Sequence, residues 1–251
     1  MNSILKKKNL IYRILTTLLH YLIAIPILTI VDVLFLGFRV RGWEHLRDIE
    51  DTGAVIACNH IHYLDCTFLG ILSVPRRPIF CTLEQNFQIP VAKHLIKWLG
   101  GVAIPQKIGA LRRFVEDAAD AAQKGKLVII YPEGELKLYC DYLRPFKDGA
   151  FKTAVKAGVP VLPCYITQEK PKGIFRLFKQ KPCLILNVGE PVYPRKIATA
   201  KDQQTDEKFD IRATVRNLRE RVYCEMERLA DRELPSFHGE PELDNECPEV
   251  V

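Results

Sequence analysis

No two of the eight cysteines form a C-x-x-C pair, and the closest two, Cys58 and Cys66, lie eight residues apart. That spacing argues against zinc-ribbon and thioredoxin-type arrangements, and a chain of 251 residues is large enough to fold without disulfide staples. Scattered reduced thiols in a cytosol-facing protein are the expectation, with no structural metal. Glycine (14) and proline (16) are too few for a collagen-like or low-complexity chain, and 48% hydrophobic with 26% charged residues excludes wholesale disorder. No internal repeat is present. The basic residues are dispersed, with no arginine-rich stripe interleaved by aromatics, which argues against a nucleic-acid partner.

What the chain does have is an uneven charge. The net charge is +6, but residues 1–41 contribute +5 and residues 231–251 contribute −6, leaving +7 for residues 42–230. A basic body with a basic, apolar front end suits an anionic surface. The run Ile14 to Val31 is apolar apart from threonines and His20. As a helix it spans about 27 Å, close to the hydrocarbon thickness of a bilayer. A signal peptide is one reading, since Lys6–Lys8 resemble its basic start, but no A-x-A cleavage site follows. A single span is another; lysines before it and Arg39 and Arg41 after it give no clear orientation. Pro26 interrupts the run, which favours two half-length helices, 9–24 and 26–38, dipping into one leaflet with both ends cytoplasmic. The remaining alternative is a core helix of a soluble domain.

Beyond Arg41, short apolar strands alternate with amphipathic segments. Strands are expected at 54–58, 79–83, 126–131, 160–166 and 183–188. Helices are expected from Asp65, at Val91–Leu99 (carrying Lys93, His94 and Lys97), along the stripe Leu111 to Ala122, and at Phe151–Ala157. Ile211, Val215, Leu218, Val222, Met226 and Leu229 recur at helical spacing. This alternation implies an α/β fold, a mixed or parallel sheet flanked by helices. The organisation read from it is a membrane-associated helical segment at 1–41, an α/β domain at 42–232, and an acidic, disordered tail at 233–251.

Reactive groups in α/β folds collect where strands end. The first strand is followed by Asn59-His60-Ile61-His62-Tyr63-Leu64-Asp65. His60 at a strand end and Asp65 at a helix start can turn toward each other, the acid fixing one ring nitrogen and leaving the other as a base. A second segment, Tyr131-Pro132-Glu133-Gly134-Glu135-Leu136-Lys137, also follows a strand, and Gly134 allows close backbone approach.

Together these segments resemble the glycerolipid acyltransferase family, which includes 1-acylglycerol-3-phosphate acyltransferases. Its N-H-x-x-x-x-D motif is similar to Asn59-His60 and Asp65, and its F-P-E-G-T-R motif to Tyr131 through Leu136. A G-G block ending in arginine resembles Gly100 to Lys107, F-K-x-G-A resembles Phe146 to Ala150, and V-P-hydrophobic-x-P resembles Val159 to Pro163. The blocks occur in family order across roughly residues 50–195. The resemblance implies an O-acyltransferase of phospholipid biosynthesis, membrane-associated and facing the cytoplasm, using acyl-CoA or acyl-carrier protein as co-substrate and needing no other cofactor. It implies His60 as the base that removes the acceptor proton, oriented by Asp65. Asn59, Glu133, Gly134 and Glu135 are then expected at the substrate.

The sequence departs from the family pattern at two expected arginines, which are Gln106 and Leu136 here. Lys107 and Lys137, each one residue further on, are the expected substitutes as point charges for an acceptor phosphate. The alternative is an acceptor without a phosphate monoester, because Glu135 repels a phosphate beside it. Three rival readings remain in view. His60, His62 and Asp65 are possible metal ligands, Cys58 or Cys66 a possible acyl-carrying nucleophile, and the whole chain a possible catalytically silent membrane binder.

Overall fold

Short runs of four to nine mostly apolar residues, together with the three-residue Arg-Val-Arg strand, supply the strands of one sheet. The computed structural model describes residues 9–88, 96, 100–198 and 209–231. The strands are β1 (Arg39–Arg41), β2 (Ala54–Cys58), β3 (Ile79–Leu83), β4 (Gly101–Ile104), β5 (Leu127–Ile130), β6 (Val161–Glu169) and β7 (Cys183–Val188). They lie in the order β1-β7-β6-β2-β5-β3-β4. Strands β6, β2, β5, β3 and β4 run parallel, while β7 is antiparallel to β6 and parallel to β1. The carboxyl ends of the five parallel strands therefore share one edge.

Alternation along the strands divides the core into two faces. Val55, Ala57, Val128 and Ile130 point to the side covered by α4 (Ile108–Gln123), α5 (Gly149–Ala157) and α7 (Ile211–Asp231). The expected stripe on α7 is buried there from Val215 on, with Val215, Leu218, Val222, Met226 and Leu229 all in that cluster, while Ile211 at its start is exposed. Ala54, Ile56, Cys58, Leu127 and Ile129 point to the opposite side, against Phe68 and Leu69 of α3 (Asp65–Leu72) and against Leu36 and Phe38. A short helix α6 (Phe175–Phe178) interrupts the connection from β6 to β7.

The N-terminal apolar segment differs from the expectation of two half-length helices. Its backbone stays helical through α1 (Leu10–Leu18), a π-helical stretch (Leu19–Ala24) and α2 (Ile25–Leu36). Pro26 sits in the first turn of α2, directly after the wider π turn, in which the Ile25 N–H donates to the carbonyl of His20, five residues back. A proline ring lacks an N–H and crowds the carbonyl four residues behind it, and a widened turn accommodates both without breaking the helix. Gly37, at φ 62°, ends α2, and the following strand β1 brings Arg39–Arg41 into the sheet. From Ile14 to Leu36 the helix is 23 residues long, and only 11% of its most apolar stretch is buried. That length corresponds to about 35 Å, enough to cross a bilayer. Such exposure does not fit the core-helix alternative.

β4 also departs from the sequence reading, which ends a helix at Gly100-Gly101 and places no strand after it. The helix expected at Val91–Leu99, Lys6–Lys8 and the acidic tail from 233 lie outside the described residues, apart from Ile96.

Candidate active site

Two loops meet at the carboxyl edge, one after β2 and one after the adjacent β5. The β2 loop carries Asn59 to Leu64 into α3. Asp65 occupies the first turn of that helix, where the unpaired amides and the macrodipole favour a carboxylate. It is fully buried. Its Oδ2 accepts from the backbone N–H of Ile61 at 2.7 Å and of His62 at 2.9 Å. The same oxygen lies 3.0 Å from His60 Nδ1. A carboxylate held by two backbone amides accepts from that ring nitrogen, so the proton is fixed on Nδ1 and the lone pair is left on Nε2. The imidazole stacks on Tyr131 at a centroid distance of 4.1 Å, which sets the ring plane. The His60 side chain remains 24% exposed, and the acid behind it is fully buried. The imidazole is thus open on one side and anchored on the other, the arrangement that a general base needs.

The β5 loop braces this arrangement through Glu133 and through Arg144, which the sequence reading missed. Glu133, with a side chain only 1% exposed, accepts from the His60 N–H at 3.1 Å and from the Arg144 N–H at 3.2 Å. Arg144 Nη2 donates to Glu133 Oε2 and to the Glu135 carbonyl, both at 2.5 Å, and Nη1 donates to Glu135 Oε1 at 3.2 Å. The guanidinium also reaches the His60 carbonyl at 3.5 Å. Two further backbone bonds join the loops, Lys137 N–H to the His60 carbonyl at 3.1 Å and Tyr139 N–H to the Ile61 carbonyl at 2.9 Å. The only sequence signal for Arg144 is the need of a buried acid for a cation.

The other expected site residues are distributed unevenly. Asn59 is buried, and both ends of its amide are engaged by β6: Nδ2 donates to the Ile166 carbonyl at 3.1 Å and Oδ1 accepts from its N–H at 2.7 Å. It therefore locks the end of β2, its fully buried amide turned to the neighbouring strand where the expectation put it at the substrate. The Glu133 carboxylate is likewise turned inward, enclosed by His60 and Arg144. Gly134, at φ 79°, adopts a backbone that disfavours a side chain, and the Lys147 side chain lies against its Cα where a Cβ would stand. Glu135 is exposed at the mouth. Lys137 does not extend toward a substrate; its ammonium is hydrogen-bonded to the Tyr142 hydroxyl and lies over that ring. Lys107 is exposed, just ahead of α4 at the end of β4. In the sheet order it stands three strands from β2.

Chemistry at the neighbouring groups separates the rivals. Burial pushes the Cys66 thiol up to about 12 and the Cys58 thiol well above its usual value, so neither is a ready thiolate. Burial lowers the pKa of His62, whose Nδ1 accepts the Leu64 N–H at 3.2 Å within its own turn. Among the described residues no cluster of three or more His, Cys, Asp or Glu is placed to hold a metal ion.

Comparison with known proteins bears on this geometry. A model of the family described as Acyltransferase matches residues 37–167, which carry both loops. The chain is 33% identical over 129 residues to a chloroplastic 1-acyl-sn-glycerol-3-phosphate acyltransferase of Brassica napus, covering 49% of this chain and 35% of that protein. It is 35% identical over 134 residues to the human 1-acyl-sn-glycerol-3-phosphate acyltransferase beta, covering 51% of this chain and 46% of that one. It is 28% identical over 171 residues to the Bacillus subtilis 1-acyl-sn-glycerol-3-phosphate acyltransferase, covering 64% and 77%. The chain spans about a third to a half of the length of the first of these relatives. In fold it is similar to the 1-acyl-sn-glycerophosphate acyltransferase PlsC of Thermotoga maritima, with a TM-score of 0.52 at 23% identity over 88% of this chain and 96% of that one.

Proposed function

The chain belongs to the Acyltransferase family, and on that premise we propose that it moves an acyl chain from acyl-CoA or acyl-carrier protein to the free hydroxyl of a 1-acyl-sn-glycerol-3-phosphate type of acceptor. The observation that carries this reading is the His60–Asp65 pair, 3.0 Å apart with the acid buried and the ring open. His60 Nε2 takes the acceptor O–H proton as that oxygen attacks the thioester carbonyl. The C–O bond forms, the C–S bond breaks, and the proton passes from Nε2 to the departing thiolate. The products are a diacyl lipid and a free thiol. Asp65 stabilises the transient imidazolium, and Glu133 with Arg144 holds the His60 backbone while this occurs. The transfer requires no metal or further cofactor.

The helix Ile14–Leu36 anchors the protein in the membrane, with the catalytic domain on the cytoplasmic side. Residues 1–41 act as that anchor, 42–232 as the catalytic unit and 233–251 as an acidic tail. A second reading of the acceptor, a lysophospholipid diester or other hydroxylated lipid, is favoured by three observations. Leu136 and Gln106 stand where the family places arginines, Lys137 is turned onto Tyr142, and Glu135 is exposed at the mouth. Lys107, at the same edge, is the remaining expected point charge for a phosphate.

The test is acyl transfer by detergent-purified protein with each donor, offered lysophosphatidic acid, lysophospholipid diesters and a neutral hydroxylated lipid. Loss of about two to four decades in His60→Ala is expected of a general base. Undiminished turnover in that variant rejects the mechanism. Absence of turnover with every pair, alongside intact membrane binding, leaves a silent membrane binder.

A further inference from the structure

The connection from β6 to β7 leaves the sheet at the carboxyl edge, beside the His60 loop, and its composition is unlike the rest of the surface. Lys170 to Lys181 reads K-P-K-G-I-F-R-L-F-K-Q-K, with five basic residues and no acid. The preceding acid, Glu169, is paired with Arg41 at 2.7 Å. The apolar side chains of this excursion are turned outward: Ile174 is 68% exposed, Leu177 84% and Phe178 61%. Apolar side chains that find no core while a ring of cations surrounds them match the boundary of an anionic bilayer, with chains below and phosphates above.

The position of the excursion supports the same partner. Lys179 Nζ donates to the Phe35 carbonyl at 3.0 Å, at the end of the apolar helix. Phe178 and Lys179 line a cavity of about 340 Å³ with Leu34 and Phe35 of that helix. Leu34 and Phe35 are themselves outward-facing, so the two apolar surfaces are continuous. On its other flank, Lys181 lies over the ring of Tyr139, whose N–H bonds the Ile61 carbonyl of the catalytic loop.

We propose that Lys170–Lys181 is a second membrane-contact element, which buries Ile174, Leu177 and Phe178 in a bilayer and holds anionic lipid headgroups with Lys170, Lys172, Arg176 and Lys181. This inference rests on the anchoring reading given above. It adds a contact on the catalytic side of the anchor and a preference for lipid charge. The element fixes the rotation of the domain about the anchor, so that the open side of His60 faces the layer that holds a lyso-lipid.

The experiment uses the full chain reconstituted in vesicles of phosphatidylcholine, alone or mixed with phosphatidylglycerol, with brominated acyl chains. Leu177→Trp reports the depth of the excursion over the background of Trp43 and Trp98, and Ile174→Trp is the second probe should the first fold poorly. The expected result is strong quenching and a blue shift, greater in the anionic vesicles. Lys172→Gln and Arg176→Gln together, at about five-fold each, lower surface occupancy of the excursion by roughly 25-fold and shrink the difference between vesicle types. A probe that stays unquenched in vesicles with which the protein floats overturns the proposal and leaves the anchor standing. Equal quenching in both vesicle types overturns the charge preference. Protein that does not float with vesicles overturns the contact element and the anchoring reading together. A probe that shifts with added RNA and not with vesicles makes this a nucleic-acid surface and overturns the proposal.

Discussion

Replacing Arg144 with methionine keeps the length of its aliphatic stem and removes only the guanidinium. The Glu133 side chain is 1% exposed and that of Arg144 10%, so water cannot replace the lost partner. The carboxylate keeps the two backbone amides of His60 and Arg144 but loses its counter-charge. Breaking a buried ion pair by removing one partner costs about 3–5 kcal/mol. At about 2–4 °C per kcal/mol for a domain of this size, the melting temperature falls by roughly 6–20 °C. Thermal unfolding in detergent micelles measures the loss. Arg144→Lys is expected to recover part of it, since one ammonium cannot serve Glu133, Glu135 and two carbonyls at once. The decisive comparison is the double variant Glu133→Gln, Arg144→Met, in which no charge is stranded. If the pair is coupled as drawn, the double variant is more stable than Arg144→Met alone. A single variant that costs less than about 1 kcal/mol, or a double variant whose loss is the sum of the two singles, refutes the bracing role.

Asp65→Asn keeps an oxygen that can face the amides of Ile61 and His62 and the ring of His60, but it removes the negative charge that steadies the imidazolium. Turnover is expected to fall by about two to four decades with the fold retained, and a wild-type rate rejects the orienting role. Gly134→Ala forces a left-handed residue to carry a Cβ against the Lys147 side chain, at a cost of about 1–2 kcal/mol. An unchanged melting temperature counts against that strained turn. Burial lowers the pKa of His62, so the unfolded chain, titrating near 6.5, binds a proton that the folded chain resists. Stability therefore declines as pH falls through about 6.5 toward the lower folded value, and unfolding measured against pH shows a flatter slope in His62→Gln.

Local patterns were legible in the sequence; pairings between distant loops were not. β3 and β7 occupy the expected residues because a five- or six-residue apolar run between turns has few other uses. The stripe from Val215 to Leu229 likewise requires a partner face, and the sheet supplies one. β4 escaped because Gly101-Val102-Ala103-Ile104 is too short for its alternation to stand out, and only its pairing with β3 makes it a strand. Pro26 misled because the rule that proline breaks a helix is silent about a π turn placed just before it. The spacing of His60 and Asp65 carried the dyad, since four intervening residues suffice to fold one side chain onto the other. Arg144 was invisible for the opposite reason: nothing within eleven residues of sequence indicates that its guanidinium closes on Glu133. The strand-locking bonds of Asn59 were not legible because a motif position does not reveal whether an amide faces a substrate or the strand alongside.

The N-terminal helix is tied to the chemistry by more than proximity. One of its faces is apolar and outward, with Leu22, Ile30 and Phe35 exposed, while Thr16, His20 and Asp32 on the other face are buried. Asp32 accepts from the Thr67 hydroxyl at 2.5 Å, and Thr67 lies in the first turns of α3, two residues after Asp65. A polar group buried on an otherwise apolar helix is costly unless it is bonded, so this contact selects one rotation of the helix against the domain. The same rotation sets α3, and α3 sets the carboxylate that holds His60. From the other side of the helix, Lys179 caps the Phe35 carbonyl and brings the basic excursion alongside. The helix is thereby held at two points near its carboxyl end, one leading to Asp65 and one to the basic excursion. A domain swinging freely on a flexible tether would need neither contact. Their presence argues that the orientation of His60 relative to the apolar helix is built into the fold.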